Sequence, residues 1–456
     1  MARKDLGDIA AGRRTREQLD KAFADVAPPL DRQRALIESQ RCYFCYEAPC
    51  ITACPTGIDI PGFIRGISTD NLRGAAETIL SANIFGGACA RVCPTEILCE
   101  GVCVRNTDED KPVEIGALQR YATDWVFEGN AQLFQRAAET GKHVAVVGAG
   151  PAGLACAHAL AMRGHRVSVY ERHAKPGGLN EYGIAAYKVP GFAQREVEWL
   201  LSIGGVTVHY GQSLGSQVTL SKLRAEHDAV FLGMGLAGVN DLAIEGEGAN
   251  GIRNAVDFIA ELRQSESLST LAVGRRVVVI GGGNTAVDAA IQSKKLGAEA
   301  VSMVYRRGAD SMSATSHEQE FVQTEGVHVI HWAQPKRFLV ENGALSGVEF
   351  EYTSINGAGK LVGSGDTFVI AADVALKAIG QVLVPSPLQD EGSEVLALKN
   401  GRIVVDEHYK TSLDKVWAGG DCVGGKVDLT VQAVEDGKQA AFAIDRMLAA
   451  GGARHG

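Results

Sequence analysis

Eight cysteines fall between positions 42 and 103: Cys42, Cys45, Cys50, Cys54, Cys89, Cys93, Cys99 and Cys103. Four of them sit in "RCYFCYEAPCITACP", and each half carries a Cys-Pro step, at Cys54 and at Cys93. Thiols crowded this closely can pair as disulfides, hold zinc or hold iron–sulfur clusters. A [4Fe–4S] cube takes four thiolates, so eight cysteines suffice for two cubes. The first half reads C-x2-C-x4-C-x3-C-P, a partial likeness to two-cluster ferredoxins, where the last cysteine serves the other cluster. Zinc is the competing reading, but zinc sites usually pair two CxxC units and only one CxxC is present here.

Two glycine-rich turns offer a second kind of chemistry. In "HVAVVGAGPAGLACAHALAMRGHRVSVYER", Gly148, Ala149, Gly150, Pro151, Ala152 and Gly153 form G-x-G-x-x-G after an apolar run. Glycine lets the backbone approach a pyrophosphate, and the dipole of the following helix favours the anion. Glu171 closes the second apolar run about 20 residues on, where an acid takes a ribose hydroxyl. The pair Gly177–Gly178 lets a long cofactor run past the backbone. Late in the chain, "AGGDCVGG" adds a second loop with Gly420 and Asp421, and a helix containing Thr430 follows. This pairing resembles the FAD-binding pattern of two-dinucleotide-domain flavoproteins. The resemblance implies that Asp421 holds the flavin's ribitol and phosphates, and that the helix N-terminus at Thr430 faces the isoalloxazine ring.

The other turn, "VVVIGGGNTAVDAA", contributes Gly281, Gly282, Gly283, Asn284 and Thr285, with Ala286 in the place of the third fingerprint glycine. The following apolar run ends in "VYRRG" with no acid, and Arg306 and Arg307 stand where an acid would hold a ribose 2′-hydroxyl. Arginine there fits a 2′-phosphate through charge-assisted bonds, which favours NADPH over NADH. Two dinucleotide sites imply hydride transfer from NAD(P)H to flavin. That step needs ring stacking and alignment rather than a side-chain acid or base, so no catalytic residue is assigned. A flavin takes two electrons as hydride and can release them singly, which favours iron–sulfur for the cysteines.

The elements that must position these residues follow from periodicity. Residues 1–135 read as a helical iron–sulfur domain. Residues 141–172 and 274–307 each run strand, glycine turn, helix, strand, a βαβ unit of about 30 residues. The stretch 337–380 alternates strand-like runs with Asn-Gly and Gly-Ser turns, a meander completing the second nucleotide domain. "VWAGG" is a strand, "VDLTVQAVEDGKQAAFAIDRMLAA" a helix, and "GGARHG" a frayed tail. The fold class expected is α/β: a helical N-terminal domain binding two [4Fe–4S] clusters, then two Rossmann-like domains for FAD and NAD(P). The FAD domain is discontinuous, at 140–268 and 383–456, around an NAD(P) domain at 269–382.

Bulk properties narrow the setting. The chain has 456 residues, 54 of them glycine, and a net charge of −9, which disfavours nucleic acid as a partner. No apolar run reaches the roughly 18 residues that span a bilayer, so no membrane is expected. The N-terminal segment is charged, lacks the apolar stretch of a secretory signal and reads as a helix. The cytoplasm is the expected home, where thiols stay reduced and cysteines favour metal over disulfides. Cys156 and Cys422, outside the cluster, read as small buried hydrophobes.

Three stretches then point to a family. "CYFCYEAPCITACPTGIDIPGFIRGI", "GAAETILSANIFGGACARVCPTEILCEGVC" and "IGALQRYATDW" closely resemble the N-terminal region of dihydropyrimidine dehydrogenase, and the likeness runs in order through essentially the whole chain. The small subunit of glutamate synthase and the large subunit of a bifurcating transhydrogenase share the architecture; the "EAPC…CPT" block and Gln119 are more like the pyrimidine enzyme. The resemblance implies that Cys42, Cys45, Cys50 and Cys103 bind one cluster, and that Cys54, Cys93, Cys99 and the amide oxygen of Gln119 bind the other. Residue logic alone would give the eighth place to Cys89, which the resemblance makes a buried spare thiol. Lys188 stands where the family has an arginine near the flavin, and a third phosphate-binding arginine falls near Ser313, a departure that weighs against NADP preference. Leu179, Leu214, Ala378 and Gly380 complete the candidate cofactor-binding set. The single-chain pyrimidine enzyme continues into an FMN barrel and further clusters, and this sequence ends before them. The implied arrangement is therefore an electron-input subunit feeding a large FMN/iron–sulfur subunit, with uracil or thymine reduced to the 5,6-dihydro form, or the reverse. The alternatives are a glutamate synthase small subunit and, outside enzymes, a scaffold with structural nucleotide sites.

Overall fold

A computed structural model describes residues 13–388, 395–425 and 427–452. The first twelve residues of the expected N-terminal helix and the tail at 453–456 lie outside the described residues. The described chain opens with helices α1 (Arg16–Ala22), α2 (Arg32–Gln40), α3 (Pro49–Ala53), α4 (Ile60–Ser68), α5 (Leu72–Ala82), α6 (Gly86–Val92), α7 (Arg105–Glu109) and α8 (Ile115–Gly129). Next come β1 (His143–Val147), α9 (Pro151–Met162), β2 (Arg166–Glu171), α10 (Leu179–Tyr182), α11 (Ala193–Leu201), β3 (Val206–Tyr210), α12 (Leu220–Glu226) and β4 (Ala229–Leu232). The middle of the chain holds β5 (Gly238–Val239), β6 (Ile252–Asn254), α13 (Ala255–Gln264), β7 (Arg276–Ile280), α14 (Asn284–Leu296), β8 (Ala300–Tyr305), α15 (Ser316–Thr324) and β9 (His328–His331). It continues through β10 (Ala333–Glu341), β11 (Ala344–Ile355), β12 (Leu361–Ala371), β13 (Val374–Lys377) and β14 (Gln381–Val382). Then β15 (Leu398–Lys399), β16 (Arg402–Ile403) and β17 (Val416–Ala418) lead to α16 (Thr430–Gly452).

The chain divides into two compact units. One, comprising 27–181, 191–238 and 382–456, joins the cysteine-rich helices to a five-stranded parallel sheet of order β17-β4-β1-β2-β3. "HVAVV" is buried at four of five positions, the continuous apolar run that a parallel strand covered on both faces requires. In the helical part, Ile60, Phe63, Ile64 and Ile67 lie at i, i+3, i+4, i+7 on α4 and are buried, the spacing of one helix face. Asp59 accepts from the backbone N–H of Gly62 and so caps α4; Asn71 caps α5 through Gly74. These helices share a core with Leu118 and Ala122 of α8, and Cys42, Cys50, Cys54 and Cys103 pack against it.

The other unit, at 1–26, 182–190 and 239–381, holds a second parallel sheet of order β6-β13-β7-β8-β9 and an antiparallel sheet β10-β11-β12. The expected meander is that antiparallel sheet, and β13 then returns into the parallel one beside β7. Helix α1 belongs to this unit rather than with the other N-terminal helices, and its Leu19 joins the core around α14. The last helix begins at Thr430, three residues later than the apolar pattern from Val427 suggests.

Candidate cofactor-binding sites

The structure sorts the eight clustered cysteines into two groups. Cys42, Cys45, Cys50 and Cys103 line one cavity, closed by Ala48, Pro49, Ile60, Ile64 and Val113. Burial, followed by the charges of Cys42 and Cys103, pushes the Cys50 thiol up to about 11. The second group is deeper. Burial, then the neighbouring Cys89, Cys99 and Cys54, pushes the Cys93 thiol far above its ordinary value. All ten cysteines are free, with no disulfide. A buried thiol becomes a thiolate only beside a strong positive charge, which a bound metal supplies outright. The donor set therefore suits iron–sulfur clusters. Gln119 is buried on α8, and its Nε2 donates to the carbonyl of Gly86 at 2.7 Å, which commits the amide nitrogen and leaves Oε1 for another partner. Cys89 is buried one helical turn before Cys93, among the same thiols.

The first glycine turn lies between β1 and α9. Gly148 has φ +94°, and a Cβ there would stand 2.5 Å from the Gly233 carbonyl oxygen. A Cβ on Gly153 would stand 1.9 Å from the Gly148 oxygen, so this glycine serves the packing of helix on strand. Gly178 approaches Gly150 so closely that its Cβ would sit 2.7 Å from the Gly150 Cα. Gly420, φ +75°, abuts Ala152 at the first turn of α9. Its N–H donates to the buried Asp436 at 3.0 Å. Thr430 donates to the Oδ1 of Asn180, 3.1 Å away. The two loops far apart in sequence thus form one cradle, with Gly148–Gly153, Gly178, Gly420, Asp421 and Thr430 around it. Burial raises Asp421 to about 6, with Asp428 adding to the shift and Arg402 opposing it. Glu171 is buried; its Oε2 accepts from the Ala149 N–H at 2.7 Å and its Oε1 from the His173 N–H at 2.8 Å. That carboxylate braces the glycine turn from beneath. Leu179 is exposed beside Gly178, whereas Leu214 belongs to the core cluster with Ala145 and Val147.

The second turn has the same build. Gly281 has φ +149°, and a Cβ on it would meet the Ala378 oxygen at 2.2 Å, which brings Ala378 against the loop. The Tyr305 ring lies over Gly282, 2.5 Å from where a Cβ would be, and the Ser313 hydroxyl stands 2.9 Å from the Cβ position of Gly283. Asn284 and Thr285 open α14, whose C-terminus is closed by Gly297 in the left-handed region. Gly380, φ +95°, lies three residues past the end of β13 and near Asn240. Arg306 and Arg307 follow β8, and among the described residues neither guanidinium has an ion-pair or hydrogen-bond partner. The contact of the Tyr305 ring with this turn is one that the motif does not announce; its place directly before the two arginines was the available signal.

Lys188 is found in the unit of the second turn. Its Nζ lies 2.9 Å from Asp288 on α14 and 2.6 Å from Glu318 on α15, with the Tyr187 hydroxyl also donating to Asp288. Burial alone would lower its proton affinity, but the two carboxylates together raise it.

Comparison with known proteins fits this geometry. Residues 19–131 match the family model "dihydropyrimidine dehydrogenase domain II, 4Fe-4S cluster", and residues 142–437 match "pyridine nucleotide-disulphide oxidoreductase". The NAD-dependent dihydropyrimidine dehydrogenase subunit PreT of Escherichia coli K12 is 34% identical over 425 residues, covering 93% of this chain and 97% of that protein. The glutamate synthase [NADPH] small chain of the same organism is 33% identical over 449 residues, covering 93% of this chain and 94% of that one. The chain belongs to the family of these two subunits. It is an NAD(P)-dependent oxidoreductase of the flavoprotein type with an N-terminal [4Fe–4S] domain, and its cofactors are FAD, NAD(P)H and [4Fe–4S] clusters. Mycobacterium tuberculosis FprA in complex with NADPH shares the fold at a TM-score of 0.57 and 17% identity, over 69% of this chain and 86% of that one. Among the described residues no helix is long and apolar enough to cross a membrane.

Proposed function

We propose that this chain is the electron-input subunit of a two-subunit dihydropyrimidine dehydrogenase. NAD(P)H would be held at Gly281–Thr285 with Arg306 and Arg307. FAD would be held by Gly148–Gly153, Gly178, Asp421 and Thr430. One [4Fe–4S] cluster would take Cys42, Cys45, Cys50 and Cys103; the other Cys54, Cys93, Cys99 and the Gln119 amide oxygen. When bound, these groups would supply the conversion of a hydride's electron pair into single electrons. The rest is done by the protein's residues: glycines open the backbone to phosphates, Glu171 braces the turn, and buried apolar side chains exclude water from the thiols. The partner is an FMN- and iron–sulfur-containing large subunit that reduces uracil or thymine, or runs the reverse.

The observation that carries this reading is the presence, in one chain, of two dinucleotide turns and two separate groups of cysteines. The name of the PreT relatives supports the pyrimidine assignment. Similar identity to the glutamate synthase small chain supports a second reading, a subunit serving glutamate formation. Reconstitution with the co-purifying partner decides between them. Uracil-dependent NAD(P)H oxidation is expected; oxidation that needs glutamine and 2-oxoglutarate instead would overturn the pyrimidine reading. Cys42→Ser should abolish electron delivery to the partner while NAD(P)H–dye reductase activity persists. Loss of the dye reaction with FAD still bound would contradict the arrangement.

A further inference from the structure

Helix α6 carries Cys93 just past its C-terminal end, yet its N-cap residue, Phe85, offers no side-chain cap. The cap comes instead from α11 of the sheet-bearing part of the same unit. Glu196 is fully buried there, and its Oε1 accepts from the N–H groups of Gly87 at 2.8 Å and Ala88 at 3.0 Å. A Cβ on Gly87 would lie 2.5 Å from Phe192, 2.7 Å from Phe127 and 2.9 Å from Glu196 Oε1, so only glycine admits this approach. Aromatic edges fix it: Phe127 of α8 packs on Phe192 at 5.2 Å and on Trp199 at 5.4 Å.

A second reach runs from α16. Lys438 Nζ donates to the Ala82 carbonyl at 2.7 Å, at the C-terminal end of α5, and to the Thr56 carbonyl at 3.4 Å. Thr56 is the residue whose hydroxyl lies 3.2 Å from the Cys54 sulfur. Acid at a helix N-terminus and base at a helix C-terminus is the pairing that helix dipoles favour. Gly86, the first residue of α6, supplies the carbonyl that orients Gln119. The first reach thus ends on the residue after Gly86, whose carbonyl holds Gln119, and the second ends at Thr56, two residues from Cys54.

We propose that Glu196 and Lys438 are positioning residues through which the flavin-binding fold sets the placement and the reduction potential of the Cys54–Cys93–Cys99–Gln119 site. This rests on the assignment of those four residues to a cluster. Reducing a cluster adds one electron and hence negative charge. A nearby ammonium favours the reduced form and a nearby carboxylate disfavours it. The other charges facing Glu196 are Arg91 of α6, which also donates to the Gly87 carbonyl at 3.0 Å, and Asp124 of α8, paired with Arg91 at 2.5 Å; Cys89 faces it as a thiol. Lys438 is itself paired with Glu435 at 2.7 Å.

The test is a redox titration of the anaerobically purified chain with dithionite, followed by its iron–sulfur absorbance and electron paramagnetic resonance, in wild type, Glu196→Gln, Lys438→Met and Lys438→Arg. Burial raises Glu196 to about 8, so the titration is run at pH 9, where a carboxylate is compared with an amide. The expected result is opposite shifts of one cluster only, downward for Lys438→Met and upward for Glu196→Gln. Lys438→Arg should stay at the wild-type value, and FAD content and dye reductase activity should be unchanged. Selective loss of about half the iron from Glu196→Gln with FAD retained also supports the role, since α6 then fails to present Cys93. Unmoved potentials, shifts of the same sign, or parallel loss of FAD would overturn it. Wild-type chain without iron–sulfur absorbance would instead refute the cluster assignment itself.

Discussion

Replacing Gly150 by alanine separates the demands of the fold from those of the ligand. The three fingerprint glycines differ in what surrounds them. At Gly153 a Cβ would lie 1.9 Å from a backbone oxygen, and at Gly148 2.5 Å from another, so either substitution must disturb the protein. At Gly150 the nearest atom to a Cβ is the Gly178 Cα at 3.7 Å, an ordinary contact. Its backbone, φ −83° and ψ −177°, suits alanine as well. The chain alone gives Gly150 no reason to be glycine; a pyrophosphate seated against it does. Gly150→Ala should therefore leave the flavin-free protein unharmed or raise its stability by about 0.4–1 kcal/mol, by narrowing the unfolded ensemble. One methyl forced into a filled site costs roughly 1–3 kcal/mol. Against FAD that is about a 5- to 150-fold rise in Kd. Flavin fluorescence quenching gives the affinity, and urea unfolding of the apoprotein gives the stability. Gly153→Ala serves as the contrast and should fail in the unfolding experiment. Wild-type FAD affinity in Gly150→Ala would refute the claim that the cofactor's phosphates lie on this turn.

Three further outcomes are expected. Removing Arg306 or Arg307 as alanine deletes a charge-assisted contact of roughly 1.5–3 kcal/mol, so the KM for NADPH should rise about 10- to 150-fold with little change for NADH; equal effects on both would show that no 2′-phosphate is bound there. Lys188→Met leaves Asp288 and Glu318 buried without their shared cation, and about 3–5 kcal/mol of stability should be lost in urea with flavin content unchanged; loss of flavin at unaltered stability would place Lys188 in the flavin site instead. Burial lowers His158 from 6.5 to about 4, so its contribution to stability is complete above pH 6.5 and is lost as pH falls through 4, about 3 kcal/mol in all. His158→Leu should flatten that acid limb of the urea midpoint, and parallel curves would show that the imidazole is not buried neutral.

What the sequence determined by itself is local. "HVAVVGAGPAG" and "VVVIGGGNTAV" specify strand, turn and helix because each piece depends only on burial of a short apolar run and on backbone angles that glycine alone tolerates cheaply. Cysteine crowding, taken together with the two dinucleotide turns that imply a flavin, likewise pointed to iron–sulfur chemistry. Which cysteines share a site did not follow from spacing. Cys103 joins Cys42, Cys45 and Cys50 across some fifty residues, while Cys54, only four residues past Cys50, joins Cys93 and Cys99. Such a grouping is set by how the surrounding helices pack, which spacing does not record; α4, α5 and α8 share one core against which Cys42, Cys50, Cys54 and Cys103 all pack, and the assignment to clusters rests on family resemblance. Lys188 shows the same limit, because its partners Asp288 and Glu318 lie a hundred or more residues away. Glu196 and Lys438 had no motif at all. A carboxylate that caps a helix in another part of the chain, or an ammonium that binds a distant carbonyl, is chosen by how packed surfaces meet, and no periodicity in its own segment records that meeting.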